Sequence, residues 1–279
     1  MGNTPSSKNK KTNHDNITNF DTLSQFISSI TGKAKVFDRE QEISALRHFI
    51  VREIFGSNFL SPISNELKHG GLKVLDVGCG FGMWLFEMSS IYSQSSFVGV
   101  DVTHQLFASI KPKNVDLVSA DVNDGLPFCD CTFDFVFIRK VSYDLLESQW
   151  VSLINECVRV LKPNGYFEIT EAELRAKNIG PMLQNSSKKY FEILSSSKAN
   201  LKICEKIEEF LESTHKLQDI VHYKKEFPLG SWGPNEMREA YRSYSTFVFR
   251  SVPESHSPKK EYDPNKICRG DDYQKIRQQ

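Results

Sequence analysis

The chain has 279 residues, 39% of them hydrophobic and 25% charged, and its formal net charge at pH 7 is zero. This composition is typical of one globular domain with additional segments. A neutral chain has no strong field that would steer it onto nucleic acid, so no nucleic-acid partner is expected. The longest apolar stretch, near Phe133–Ile138, is too short to span a bilayer, which predicts a soluble protein.

The cysteines are scattered rather than paired. They form no C-x-x-C motif and no His/Cys cluster with zinc spacing, so no metal site is expected. Because the N-terminus carries no apolar signal segment, reduced thiols in the cytoplasm or the nucleus are expected. The six cysteines are Cys79, Cys129, Cys131, Cys157, Cys204 and Cys268.

The first 19 residues are polar, and they are predicted to be a disordered tail. Met1–Ser6 fits the N-myristoylation pattern, with Gly2 as the acceptor. One acyl chain holds a protein only marginally, so membrane association would also need the charges of Lys8, Lys10 and Lys11. The alternative is a chance match within a disordered tail.

Residues 20–69 have a helical pattern and are predicted to form an N-terminal helical cap. Asp38 is a candidate cap for a helix that runs to Phe55 and ends at Gly56, and a short helix is expected at Ile63–Lys68. From Gly71 onward, short β-rich segments alternate with helical ones, which predicts a doubly wound α/β domain over residues 70–252 with a mostly parallel, seven-stranded sheet.

The predicted strands are apolar along nearly their whole length, as in sheets covered on both faces. They are Lys73–Val77, Phe97–Val102, Val115–Ala120, Phe133–Arg139, Tyr166–Glu171, Asp219–Phe227 and Thr246–Arg250. The predicted helices between and after them are Gly82–Tyr92, Thr103–Ile110, Glu147–Leu161, Pro181–Ser195, Leu201–Thr214 and Asn235–Tyr244. Lys162–Gly165 is predicted as a turn, and residues 253–279 as a flexible tail.

The most informative segment is Val74–Trp84, in which a strand leads through Gly78, Gly80 and Gly82 into a helix. Glycines let the backbone bend tightly and let a ligand approach, and the helix start offers free amides to an anionic group. No Gly-Lys-Ser/Thr follows, which argues against a triphosphate. The alternative is a tight turn without a ligand.

Acidic residues lie at or just after the ends of three successive strands. Asp76 precedes the glycines and suits a cationic ligand, while Asp101 ends the next strand and suits ribose hydroxyls. Asp121 can accept from an adenine amino group, with the Val122 amide beside the ring. The alternatives are a loop carboxylate for Asp101 and a turn or cap for Asp121, which precedes a turn-like Asn-Asp-Gly.

Across about Gly71 to Glu173, the chain resembles the class I S-adenosylmethionine (SAM)-dependent methyltransferases. The resemblance rests on five motifs in this order: LDVGCGFG, VGVD, ADVNDGLPF, FDFVFIRK and LKPNGYFEI. The resemblance implies SAM as cofactor. It also implies a site around the methionine, ribose and adenine parts of SAM, in which Arg139 contacts the methionine end or the substrate. The alternative for Arg139 is a surface ion pair. The implied cofactor-binding residues are Asp76, Gly78, Cys79, Gly80, Gly82, Asp101, Val102, Asp121, Val122 and Arg139.

A narrower resemblance, to fungal methyltransferase-domain proteins including regulators of secondary metabolism, rests on Asp38–Phe55, Arg139, FEITE and Phe227–Gly233. Methyl transfer from a sulfonium is an in-line displacement that depends on positioning and on exclusion of water.

No catalytic residue is assigned, and the candidate bases by position are Glu171, His104 and Tyr143. Three functions are consistent with these patterns: a methyltransferase acting on a small molecule or a protein, a SAM-binding regulator with little turnover, and a nicotinamide-dependent oxidoreductase. The G-x-G-x-G spacing and Asp76 argue against the third.

Overall fold

The computed structural model describes residues 39–102, 111–172, 200, 202–226 and 271–278. Several predicted features lie outside these ranges: the tail with Gly2 and its lysines, the cap Asp38, the helices at 103–110, 181–195 and 235–244, the strand at 246–250, and His104.

Seven strands form one sheet in the order β3-β2-β1-β4-β5-β7-β6. They are β1 Lys73–Val77, β2 Ser96–Asp101, β3 Val115–Ser119, β4 Phe133–Arg139, β5 Leu161–Glu171, β6 Leu217–Lys225 and β7 Asp271–Gln278. The strands β1 to β5 pair in parallel, whereas β7 is antiparallel to both β5 and β6. The predicted doubly wound α/β class is confirmed, with five parallel strands leading from one edge of the sheet.

The strand β7 lies within residues 253–279, which the sequence predicts as a flexible tail. Its sequence, DDYQKIRQ, has no apolar alternation that would indicate a strand. The backbone pairing with β5 and β6 supplies the order instead, and pairing of this kind depends on neighbours rather than on the segment's own pattern.

Among the described residues, five helices accompany the sheet: α1 Arg39–Phe55, α2 Ser64–His69, α3 Met83–Ile91, α4 Glu147–Val160 and α5 Ile207–Glu212. Successive residues of a strand point to opposite faces, and β1 divides its side chains accordingly. Val74 packs with α3 on one face, whereas Leu75 and Val77 pack with α4 on the other. Covering both faces explains why these strands are apolar along their whole length.

The predicted boundaries differ most in two places. The segment 162–165, predicted as a turn before a strand, belongs to β5, with Asn164 at φ 61° and a register shift opposite Phe133/Phe135. The predicted helix Leu201–Thr214 is a 3-10 turn at Ile203–Glu205 followed by the short α5. An irregular residue in a strand and a broken helix depend on the packing around them, which periodicity does not reveal.

Glu168 on β5 fixes the segment that follows α1. This carboxylate is only 3% exposed, and it accepts hydrogen bonds from the backbone amides of Leu60 and Ser61 at 2.8–3.0 Å and from the Ser61 hydroxyl at 2.7 Å. The helical cap is thereby attached directly to the sheet. In the described ranges, no helix has the length and apolar character needed to cross a membrane.

Candidate functional site

A cavity of about 660 Å³ opens at the carboxyl ends of β1, β2, β3 and β4. This is the edge at which ligands bind in open parallel sheets. Its walls come from the glycine loop, the residues that end these strands, and one side of α1. The strand ends and the loop contribute the lining residues Asp76, Val77, Gly78, Cys79, Gly80, Phe81, Asp101, Val102, Asp121, Val122, Asn123 and Arg139.

Of the ten predicted cofactor residues, the structure brings nine together around this cavity. Gly82 is the exception, since it lies at the start of α3 with φ 74° and its carbonyl accepts from the Phe86 amide at 2.9 Å. The nine are Asp76, Gly78, Cys79, Gly80, Asp101, Val102, Asp121, Val122 and Arg139.

Two glycines of the loop have positive φ for different reasons. Gly78 has φ 70°, and a Cβ there would lie 2.4 Å from the Cγ1 atom of Val141. Gly80 has φ 52°, and a Cβ there would meet no atom within 4 Å. Gly78 therefore packs against the loop after β4, whereas Gly80 leaves an open cradle on the cavity side, as a closely approaching ligand requires.

Asp101 lies at the end of β2 and binds the glycine loop itself. Its Oδ2 atom accepts a hydrogen bond from the Gly80 amide at 2.9 Å. Cys79 immediately precedes Gly80, and its Sγ atom is so close to Gly99 that a Cβ on Gly99 would lie 2.8 Å away. Burial, followed by the charges of Asp76 and Asp101, raises the pKa of the Cys79 thiol well above its usual value. The thiol stays protonated, so Cys79 contributes packing and backbone rather than a thiolate.

Asp76 is 3% exposed at the end of β1. Burial raises the pKa of this carboxyl to about 7, the Arg139 guanidinium opposes that rise, and Asp101 adds to it. A carboxyl with such a pKa gains strongly from a cation placed beside it. The environment of Asp76 therefore suits an ammonium or sulfonium group in the cavity.

Asp121 lines the cavity, and its side chain also caps a turn, which was the alternative role expected for it. It precedes the 3-10 turn Val122–Asp124, and its Oδ1 atom accepts from the Asn123 amide at 2.9 Å and from Nδ2 of Asn123 at 2.8 Å. The cap holds the Val122 backbone at the cavity wall.

Arg139 lies at the end of β4 and bonds to a residue that the sequence patterns did not single out. Its Nη2 atom is 2.7 Å from Nδ1 of His48 on α1, and its guanidinium carbon is 5.8 Å from the centre of the Phe137 ring. Phe137 in turn stacks on Trp84 at 4.1 Å. The observed partner of Arg139 is thus a buried imidazole. One sequence feature could have identified His48 as a candidate site residue: it is a histidine on the apolar side of a predicted helix.

The helix α1 forms one wall of the cavity. Its lining residues recur at the spacing of one helical face, and they are Ile43, Ser44, Arg47, His48 and Val51. The predicted cap thereby contributes directly to the site.

Two of the three candidate bases, Glu171 and Tyr143, lie in the described residues and do not line the cavity. Glu171 is 1% exposed, and its Oε1 atom accepts from the Val141 amide at 2.7 Å. Burial raises the pKa of Glu171 to about 7 despite hydrogen bonds at Ser142 and Val141, but neither Glu171 nor Tyr143 lines the cavity. Asp144 does line it, and burial, followed by the charge of Asp101, raises its pKa. Glu171 is therefore a support for the loop after β4.

The groups around the cavity fit SAM. Carboxylates end β1 and β2 and follow β3, a guanidinium ends β4, and Gly80 leaves room for close approach. These groups complement an ammonium, a ribose, an adenine and a carboxylate, respectively. Among the residues that the structure describes, no three His, Cys, Asp or Glu side chains are grouped to hold a metal ion.

Comparisons with known proteins agree with this geometry. The sequence model of a family described as "Methyltransferase domain" matches residues 74–165, which contain the glycine loop and β1 to β4. The secondary metabolism regulator laeA of Coprinopsis cinerea is 28% identical over 155 residues, which cover 54% of this chain and 37% of the regulator. The N-methyltransferase gliN of Aspergillus fumigatus is 23% identical over 206 residues, covering 71% of this chain and 72% of that enzyme.

The fold has solved counterparts. Phosphoethanolamine N-methyltransferase 2 of Haemonchus contortus, solved with SAM, superposes with a TM-score of 0.52 at 20% identity, covering 88% of this chain and 61% of that one. The chain spans as little as 37% of the length of the curated relatives it matches. The match at 74–165 shows a methyltransferase domain in that part of the chain, and the order of the strands and the residues around the cavity support the class I SAM-dependent methyltransferase family.

Proposed function

We propose that the cavity binds SAM and that the chain transfers its methyl group to a small-molecule or protein acceptor. One observation carries the proposal: four neighbouring strands present Asp76, Asp101, Asp121 and Arg139 to a single cavity beside the open face of Gly80. These groups come from segments that are far apart in sequence, and they match the parts of one cationic nucleoside.

The residues divide the work of binding. Asp76 accepts from the ammonium of the methionine part, and Arg139 donates to its carboxylate, each as a charge-assisted hydrogen bond. Asp101 accepts from the ribose, while Asp121 and the Val122 amide meet the adenine. When bound, SAM supplies a methyl group on a sulfonium, which becomes a neutral thioether as the methyl leaves.

The acceptor enters from the side of α1 and Asp144. The similar gliN is named an N-methyltransferase, which supports a nitrogen nucleophile. Such a nitrogen must lose a proton, and burial raises the pKa of two carboxyls in the cavity wall, Asp76 and Asp144. Asp76 is already assigned to the ammonium of the cofactor. Asp144 is therefore our candidate to receive that proton.

Calorimetry on the purified chain tests cofactor binding. We expect saturable binding of SAM and of S-adenosylhomocysteine, and no binding of NAD. Binding of NAD alone would overturn the proposal. Turnover is then measured with radiolabelled SAM against panels of amines, hydroxylated metabolites and proteins, and Asp144→Asn is expected to slow transfer to a nitrogen acceptor at least tenfold.

The second candidate is a SAM-binding regulator with little or no turnover. It is favoured by the likeness to laeA, which is named a regulator, and by the positions of Glu171 and Tyr143 away from the cavity. Affinity for SAM, combined with no methyl transfer to any acceptor panel or to an extract of the source cells, would select the regulator.

A further inference from the structure

A line of polar side chains, buried at His48 and Glu87 and half-buried at Arg52 and Arg139, leads from the cavity into the helical cap. Arg139 bonds to Nδ1 of His48 at 2.7 Å, and Nε2 of His48 bonds to Oε2 of Glu87 on α3. The other carboxylate oxygen of Glu87 accepts from Nη1 of Arg52 at 2.6 Å. His48 and Glu87 are each 5% exposed. The four side chains belong to β4, α1 and α3, so the line joins three elements.

The chemistry of the partners fixes the proton on His48. A guanidinium can only donate, so Nδ1 of His48 must accept and cannot carry a hydrogen. An ionised carboxylate only accepts, so Nε2 must carry the hydrogen and donate it to Glu87. Both ring nitrogens are thus engaged, which leaves His48 without a nitrogen that could take a proton from an acceptor molecule, although it lines the cavity.

The surroundings keep this form stable. Burial, followed by the charge of Arg139, lowers the pKa of His48 below its usual 6.5, although Glu87 acts in the opposite direction. Burial also opposes ionisation of Glu87, but the hydrogen bonds from His48 and Arg52 and the charge of Arg52 outweigh it and lower the pKa of Glu87 below its usual 4.5. Glu87 is therefore an ionised acceptor throughout the working range of pH.

We infer that His48 is a positioning residue: oriented by Glu87, it accepts from Arg139 and holds that guanidinium in the cavity wall where the carboxylate of the cofactor's methionine part binds. This inference rests on the proposed function. It makes α1 a part of the cofactor site. It also means that protonation of His48 would set its new N–H against the donors of Arg139 and release the guanidinium.

Two substitutions of His48 separate its hydrogen bond with Arg139 from its hydrogen bond with Glu87. In His48→Asn the amide oxygen takes the place of Nδ1 and keeps an acceptor for Arg139. In His48→Gln the longer side chain takes the place of Nε2 and keeps the link to Glu87. We expect the affinity for S-adenosylhomocysteine to stay within about 3-fold of wild type in His48→Asn and to fall about 10-fold in His48→Gln, since a hydrogen bond to a charged group is lost. His69→Asn, at an exposed histidine of α2, is the control.

The pH dependence of the affinity for S-adenosylhomocysteine gives a second test. Below pH 6.5, wild-type affinity is expected to fall more steeply than that of His48→Asn, which has no imidazole to protonate. Asp76 faces Arg139 and also titrates, and Glu87 and Arg52 face His48, so the difference between the two proteins, rather than either profile, reports on His48. A purely structural role would not produce this difference.

Nitrogen-15 NMR of the wild-type imidazole needs no bound ligand. We expect shifts typical of an unprotonated Nδ1 and a protonated Nε2 at pH 7.5, and the reverse tautomer or a charged ring would overturn the inference. Equal affinities in the Asn and Gln variants, with parallel pH profiles, would also overturn it. If wild type binds neither SAM nor S-adenosylhomocysteine, the proposed function fails, while the NMR result still decides the tautomer.

Discussion

The backbone amide of Gly80 donates a hydrogen bond to the carboxylate of Asp101 at 2.9 Å, although the two residues are 21 positions apart and α3 and most of β2 lie between them. One Asp101 oxygen therefore holds the glycine loop in its open form before any ligand arrives. Preorganisation of this kind reduces the entropy that is lost on binding. The first prediction follows from this contact.

Asp101→Asn is expected to weaken the binding of SAM and S-adenosylhomocysteine about 10-fold. The amide oxygen can still accept from Gly80, but the amide nitrogen cannot accept from a ribose hydroxyl. Calorimetry measures the effect. Asp116→Asn is the matched control, since Asp116 lies on the neighbouring strand β3, pairs with Lys111 at 2.8 Å and is 81% exposed. Unchanged affinity in Asp101→Asn would mean that the ribose binds elsewhere.

Alanine at the two loop glycines should separate stability from binding. Gly78→Ala places a Cβ 2.4 Å from Val141 at φ 70°, so we expect it to destabilise the fold by about 2 kcal/mol or more. Gly80→Ala meets no atom, and we expect about 1 kcal/mol of destabilisation with at least a 10-fold loss of affinity for SAM.

Urea denaturation and calorimetry measure these two effects. Gly56→Ala is the control for backbone strain alone, because Gly56 has φ 69°, lies just after α1 and has open space around it. A Gly80→Ala variant that binds SAM as tightly as Gly56→Ala does would contradict the cradle.

Asp76 makes opposite contributions to stability and to binding. Its folded pKa of about 7 lies above its usual 3.8, so the native state binds the extra proton between these values. The contribution of Asp76 to stability is complete below about pH 4 and is lost as pH rises through about 7. Asp76→Asn should therefore unfold at a higher urea concentration than wild type at pH 8 and bind SAM more weakly.

The same pH series provides the control for that prediction. Glu171 also has a folded pKa raised to about 7 by burial, so it gives a slope of the same sign that remains in the Asp76→Asn variant. The difference between the two proteins isolates Asp76. If the free energy of unfolding of both proteins changes in parallel from pH 4.5 to 8, Asp76 does not titrate in this way.

Glu168→Ala is expected to lower the free energy of unfolding by about 3 kcal/mol, because it leaves the buried amides of Leu60 and Ser61 without their acceptor. Ser61→Ala, which removes only the hydroxyl donor, should cost about 1 kcal/mol. Glu66→Ala on the exposed side of α2 is the control and should stay within about 0.5 kcal/mol. Similar values for Glu168→Ala and Glu66→Ala would contradict the anchoring role.

The sequence was sufficient for the parallel part of the fold. Strands buried on both faces must be apolar throughout, and this pattern predicted β1 and β4 with their observed bounds. The glycine loop and the acids near the strand ends were also visible, because the carboxyl ends of parallel strands meet at one edge of a sheet. The chemistry of those few residue types indicated a cationic nucleoside, and the resemblance of the motifs to the class I SAM-dependent methyltransferases implied SAM.

The antiparallel strand β7 could not be predicted in the same way. Its polar sequence carries no periodicity, and its order comes from pairing with β5 and β6. Glu171 is a similar case, because its position after a strand suggested a base, whereas the fold turns it toward Val141. Pairing partners and side-chain direction depend on neighbours that are distant in sequence.

By itself, the sequence determined the kind of ligand. A strand, three glycines and three acids fix the local chemistry, because local chemistry depends on residue type and spacing. What only the tertiary structure decided was how that chemistry is held. The contact of Arg139 with His48 joins residues 91 positions apart, and burial between α1, α3 and β4 lowers the pKa of His48. Burial and distance arise only when the chain is packed, so no local pattern could carry them.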